Sequence, residues 1–163
     1  MQVLPLLILA LLLVNIASTG LVTGGVMVMA AAYTPLLAGL SRENTILIHR
    51  DMGRYIDRWQ PNLAWIALGS GLIELLVTSL VTPHLWVGVF IILGIAGIAG
   101  LILISITASI PLAKRIIAWT PSTAKPLEQL KTSWIHVHYL RSTCGLLGFL
   151  CFIVSTLLLT FFK

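Results

Sequence analysis

Four long apolar stretches punctuate the chain, at about residues 6–33, 62–82, 85–110 and 134–162. Each is long enough for a helix to cross the hydrocarbon of a bilayer, which takes roughly 20 residues. Residues 3–14 resemble the core of a signal peptide. No basic residue precedes them, however, and the apolar pattern runs on past Thr19 and Gly20 to Tyr33, so an uncleaved first span is expected. Tyr33, Thr34 and Pro35 mark its predicted end, and Pro111 marks that of the third span, because proline breaks the hydrogen-bond ladder of a helix. Only Thr82, Pro83 and His84 separate the second and third stretches, which predicts a tight antiparallel hairpin.

Residues 41–60 have another pattern. Ile48, Met52, Tyr55, Ile56 and Trp59 recur at helical spacing, with Arg50, Arg54, Asp57 and Arg58 on the remaining positions. This predicts an amphipathic helix on the membrane surface, capped by Ser41 or Asn44; a lid over a site is the other reading. The expected architecture is therefore all-α: an antiparallel bundle of four transmembrane helices, with an amphipathic interfacial helix between spans 1 and 2.

Composition agrees and sets the surroundings. Charged residues make up 9% of the 163 and hydrophobic ones 58%, where a soluble domain carries about 25% charge. The lipid bilayer is thus the first partner of this single membrane domain. The net charge of +5 does not point to nucleic acid. Eight of the ten basic residues fall in two connections, Arg42, Arg50, Arg54 and Arg58 in one and Lys114, Arg115, Lys125 and Lys131 in the other. By the positive-inside rule both connections are expected in the cytoplasm and both chain ends outside. Cys144 and Cys151 lie seven residues apart in one predicted helix, about 10 Å along its axis, too far to bridge.

Candidate chemistry is sparse. Trp134, His138 and Arg141 fall at i, i+4 and i+7, one helix face, continued by Gly145 and Gly148 where another helix can approach closely. An imidazole beside a guanidinium and an indole can hold an oxyanion and move a proton. Trp and Arg at a span boundary are also ordinary interface anchors. Tyr33 and His49 are expected at the same border, as substrate contacts. Glu74 lies twelve residues past Asn62, about 18 Å into the second span, a costly depth for a carboxyl. Depth counting brings Thr19, Thr23, Gly97, Gly100, Cys151 and Ser155 to its level and leaves Arg141 at the border, so no Glu74–Arg141 ion pair is expected. Glu74 is either a proton-handling or substrate-binding carboxyl or a neutral acid bonding the next helix. His49, His136 and His138 have no established metal-ligand spacing, so neither metal nor cofactor is assigned.

These features together resemble the anthrone-oxygenase-like family of small four-span membrane proteins. The shared pattern is a first span with Gly20, Gly24 and Gly25 leading to Tyr33 and Pro35, a charged amphipathic connection, a third span ending in Thr107 and Pro111, and then Trp134, His138 and Arg141. Ala113 departs from the pattern, which has an asparagine closely after that proline. The resemblance implies cofactor-independent oxidation of a lipophilic aromatic or quinone-type substrate by dioxygen. His138 would be the base, Trp134 a wall of the pocket and Arg141 the oxyanion stabiliser. The competing reading is a non-catalytic accessory subunit of a larger membrane complex, or a homo-oligomer, joined through the glycine-rich faces.

Overall fold

The computed structural model describes residues 3–55, 58–81, 84–122 and 126–161. All the regular structure among them is helical, and four helical runs are long and apolar enough to cross a membrane: Leu6–Leu37, Gln60–Val81, Leu85–Ile117 and Leu127–Phe161. The chain is an all-α integral membrane protein. Thr82 and Pro83 of the expected hairpin turn, Ile56 and Asp57 of the amphipathic stretch, and Lys125 and Lys163 lie outside the described residues.

Span 1 consists of α1 (Val3–Val28), a π-helical segment Met29–Tyr33 and α2 (Thr34–Gly39). It therefore runs past Pro35, where the sequence predicts an end. Span 3 repeats the device: α5 (Leu85–Ile104), a π segment Ser105–Ser109 and α6 (Ile110–Ile117), which carries Pro111. In each case five wide-turn residues and one more precede the proline. The Thr34 amide donates to the Met29 carbonyl and the Ile110 amide to the Ser105 carbonyl, five residues back. Proline removes one donor and its ring pushes against the carbonyl four residues earlier. A wider turn just before it relieves that contact, so the helix bends its ladder and continues.

Between the two comes α3 (Arg42–Tyr55), the amphipathic helix, and then α4 (Gln60–Val81), which is span 2. Span 4 is α7 (Leu127–Phe161), 35 residues and about 52 Å long. It starts seven residues before Trp134, where the sequence reading places its start. Its first two turns carry Glu128 and Lys131, and the charge hides the apolar row Leu127, Leu130, Trp134 that makes them helix.

The bundle is organised on α7. Most of its buried residues form two rows with a repeat of seven: Leu127, Trp134, Arg141, Gly148 and Ser155 in one, Lys131, His138, Gly145 and Phe152 in the other. Such a repeat keeps one seam facing its neighbours along the whole helix. Against α5 the seam is nearly bare backbone. A Cβ built on Gly97 would stand 2.6 Å from Gly148 Cα and 2.8 Å from the Cys144 carbonyl oxygen. Phe152, fully buried, fills the space left by two other glycines, where a Cβ on Gly71 or Gly94 would meet its ring at 2.8 or 3.0 Å. Span 1 is tied in by Asn15 Nδ2 donating to the Ala67 carbonyl (3.4 Å) and Thr23 Oγ1 to the Gly145 carbonyl (3.1 Å).

Both long connections gather at one end. There Leu37, Ile116, Leu127, Leu130 and Trp134 form a second core, and α3 lays Ile48 and Met52 on it. Ser41 Oγ caps α3 through the Asn44 amide (3.4 Å), and the Arg42 guanidinium sits 4.5 Å over the Trp119 ring. The amphipathic helix is thus docked across the end of the bundle, with Thr45 and His49 buried beneath it.

Candidate functional site

The face of α7 predicted to carry chemistry is buried: Trp134 is 3%, His138 1% and Arg141 8% exposed. One turn apart on the helix, Trp134 and His138 stack, with ring centroids 4.7 Å apart and planes at 21°. His49 of α3 meets the same indole edge-on, centroids 5.0 Å apart and planes at 69°. One indole thus separates two imidazoles supplied by different elements.

Hydrogen bonds fix both rings. His49 Nδ1 donates to the Thr45 carbonyl at 2.9 Å, and His138 Nε2 to the Val26 carbonyl of span 1 at 3.2 Å. A carbonyl only accepts, so these two nitrogens carry the hydrogens, and in the neutral rings His49 Nε2 and His138 Nδ1 are bare acceptors. Both are buried and have no hydrogen-bond partner among the described residues. Burial is the main force holding the His49 pKa below its ordinary value of 6.5. The Lys131 ammonium adds to it, and the Thr45 carbonyl opposes. Lys131, expected in a basic loop, is instead 3% exposed within α7 and reaches outward to Glu128 at 3.2 Å.

Arg141 reaches across to span 2, where Nη2 donates to Gln60 Oε1 at 3.5 Å. Gln60 is itself wedged beside Gly25, whose Cβ, if present, would lie 3.2 Å from its amide nitrogen. His49, Trp134, His138, Gln60 and Arg141, with Ser109 of the second π segment, surround a small chamber of about 40 Å³. On the other side of Gln60 and Arg141 is a cleft of about 130 Å³ between spans 2 and 3, lined mainly by apolar side chains such as Ala64, Leu101 and Ile102. Gln60, Ile110 and Arg141 belong to both walls. Pro61, Trp65 and Ile106 at the mouth of the cleft are exposed on the apolar flank of the bundle.

The remaining sequence candidates divide. His49 joins the chamber. Tyr33 is half-buried in the first π segment and does not line it; Met29 from the same segment does. Thr107 faces outward and bonds back to the Leu103 carbonyl, whereas Ala113 lines the chamber. His136 is exposed, turned away from His49 and His138. Glu74, 1% exposed, lines neither cavity; its Oε1 accepts from Ser155 Oγ at 3.3 Å. Of the neighbours inferred from depth, Ser155 is bonded to Glu74, while Thr23 is bonded to Gly145. No Glu74–Arg141 bridge occurs; among the described residues Lys131–Glu128 is the salt bridge.

Gln60 and Ser109 are the functional candidates that sequence reasoning does not single out. The one available signal is an amide immediately before Pro61 at the entry to a span. Comparison with protein-family models, with curated proteins and with solved structures finds no match to this chain.

Proposed function

We propose that the protein is a membrane-embedded, oxygenase-like enzyme acting on a lipophilic oxygenated aromatic that enters sideways from the bilayer. The observation that carries this reading is the shared wall: the apolar cleft and the polar chamber meet at Arg141 and Gln60. In this reading the cleft receives an apolar body and the chamber its polar end, since apolar walls with a few placed polar groups are the usual composition of a small-molecule site.

In this reading the bare Nδ1 of His138 takes a proton from an acidic C–H or O–H at the chamber end. Arg141 and the Gln60 amide stabilise the oxyanion that forms, and Trp134 holds the His138 ring in place. With an activated methylene between aromatic rings as substrate and dioxygen as oxidant, one oxygen atom becomes the product ketone and the other leaves as water with the two methylene hydrogens. That stoichiometry needs no further reductant. The resemblance to the anthrone-oxygenase-like pattern supports this chemistry. Ala113 on the chamber wall argues for a substrate shaped differently from one that meets an asparagine there.

The accessory-subunit reading loses its main motive. Gly94, Gly97, Gly145 and Gly148, which offered a surface for another protein, are spent on contacts within the bundle. The end carrying α3, with Arg50, Arg54, Lys114 and Arg115 exposed, is assigned to the cytoplasm by the positive-inside rule, with the chain ends outside.

The test is purification in native lipid followed by mass spectrometry of co-purifying small molecules. A stoichiometric aromatic that is lost in His138→Ala or Gln60→Leu supports the reading. A preparation that carries only lipid, and takes up no added aromatic, sinks it.

A further inference from the structure

The cleft between spans 2 and 3 opens on the apolar flank of the bundle, with Trp65 and Ile106 exposed at its mouth. A mainly apolar cleft that faces hydrocarbon does not stand empty, because its walls would forgo the dispersion contacts that a neighbouring chain supplies. It also has the direction of a lipid chain. Its span 3 wall runs from Leu101 to Ile110, nine residues and about 13 Å along the helix axis, toward the end of the bundle that carries α3.

Positive charge stands where such a chain would end. Leu103, Ile106 and Ile110 form an exposed stripe on span 3, and Lys114 continues it one turn beyond Ile110, about 6 Å further along the axis. Lys114 and Arg115 are both exposed, and neither side chain has a salt bridge, hydrogen bond or cation–π contact with another described residue. No aspartate or glutamate occurs from His84 to Ser122, so the two cations are uncompensated within their own span. Arg58, exposed beside the opposite rim, adds to their field, and Asp57 next to it in sequence subtracts. Cations that follow directly on an apolar run lie at the level of the lipid phosphates.

We propose that the cleft seats one acyl chain of an anionic phospholipid from the leaflet on the α3 side, its phosphate held by Lys114 and Arg115. A zwitterionic lipid offers the same chain, so selection falls to the headgroup, whose ammonium the two cations repel. This site lies outside the polar chamber and does not rest on the oxygenase reading. An aromatic entering by the same mouth has to displace the chain, which makes the lipid the resting occupant of the entrance.

The test gives the full chain in detergent equal amounts of dioleoyl phosphatidylglycerol and dioleoyl phosphatidylcholine, and native mass spectrometry counts the lipid retained. Phosphatidylglycerol should be preferred by about fivefold for each cation that holds it. Lys114→Gln with Arg115→Gln should bring the ratio close to one. Arg50→Gln with Arg54→Gln removes the same charge from exposed positions of α3 that do not line the cleft, and should leave the preference in place. One equivalent of phosphatidylglycerol brominated along its chains should quench tryptophan fluorescence in the parent and much less in Trp65→Phe, which locates the chain. All these substitutions are at exposed positions, so each variant should fold. No preference between the lipids, an equal loss in both double variants, or quenching indifferent to Trp65 would overturn the proposal. Uptake or turnover of an aromatic is read separately and is not altered by any of these outcomes.

Discussion

Arg141 and Gln60 meet across the bundle, guanidinium to amide oxygen at 3.5 Å, at the boundary between an apolar cleft and a polar chamber. Gln60→Leu keeps the volume and removes the acceptor. It also removes the amide proposed to donate to a bound oxygen, so binding of an oxygenated aromatic should weaken about fivefold, the usual net cost of one neutral hydrogen bond. Calorimetric titration in nanodiscs reads this directly. Unchanged affinity would mean that ligands do not pass or touch this pair.

His138 is assigned the proton transfer. His138→Ala should lower turnover of an oxidisable phenolic or anthrone-type substrate by about 10²- to 10⁴-fold, the range for loss of a general base. Oxygen uptake is the readout. A variant that still turns over at the parent rate would return Trp134, His138 and Arg141 to the role of membrane-interface anchors.

Glu74 is separated from the chamber and bonded to Ser155 at 3.3 Å. Glu74→Gln keeps an acceptor for that hydroxyl, so folding and turnover should both be retained, with a stability change of about 1 kcal/mol or less. Loss of turnover in a well-folded Glu74→Gln protein would bring the carboxyl back into the mechanism.

Gly97 rests against the backbone of Gly148. Neither partner has a side chain that can swing aside, so Gly97→Ala must push spans 3 and 4 apart. A cost of about 1–3 kcal/mol is expected, the range for overpacking, seen as a lower thermal midpoint in detergent. Gly24→Ala has no atom within 4 Å to meet and serves as the control.

The docking of α3 should depend on pH. Burial lowers the His49 pKa in the folded protein below 6.5, its value in the unfolded chain. Between the two values the unfolded chain binds more protons, so stability falls as pH drops below 6.5 and is complete above it. The Lys131 ammonium opposes its protonation further. Hydrogen exchange along residues 42–55 should quicken as pH is lowered through this range, after correction for the intrinsic rate, and His49→Phe should abolish the trend. Exchange with the same pH profile in both proteins would remove His49 as the cause.

Much of the fold was legible because hydropathy and helical period act locally. The four spans, the amphipathic helix and the buried face through Trp134, His138 and Arg141 follow from side-chain spacing alone. The span ends were less legible. Pro35 and Pro111 read as terminators because their effect on an ideal α-helix is to break it, and nothing local announces the wide turns that absorb them. Leu127–Ser133 read as loop because Glu128 and Lys131 mask a narrow apolar row. At the site, His138 and Arg141 were visible as rare polar groups in apolar surroundings. Gln60 became meaningful only when the fold set it between Gly25 and Arg141, a relationship between residues 81 apart that no local pattern encodes. Tyr33 was misplaced for a related reason, since a π turn changes which residues of its segment point inward.

The two π segments behave as a single extra residue stored in each of two helices. One residue is about 100° of rotation about a helix axis, so everything past Met29–Tyr33 or Ser105–Ser109 is turned by roughly that angle from the phase of an unbroken α-helix. Deleting one residue inside Ser105–Ser109 would close the wide turn and preserve the span. Ile110 and Ala113 would then keep their places on the chamber wall, whereas a deletion that left the wide turn intact would swing them off it and bring their neighbours onto it. The wall of the chamber is therefore set by phase as much as by composition, and a one-residue change in helix length that the wide turn does not absorb is a larger alteration to it than most substitutions.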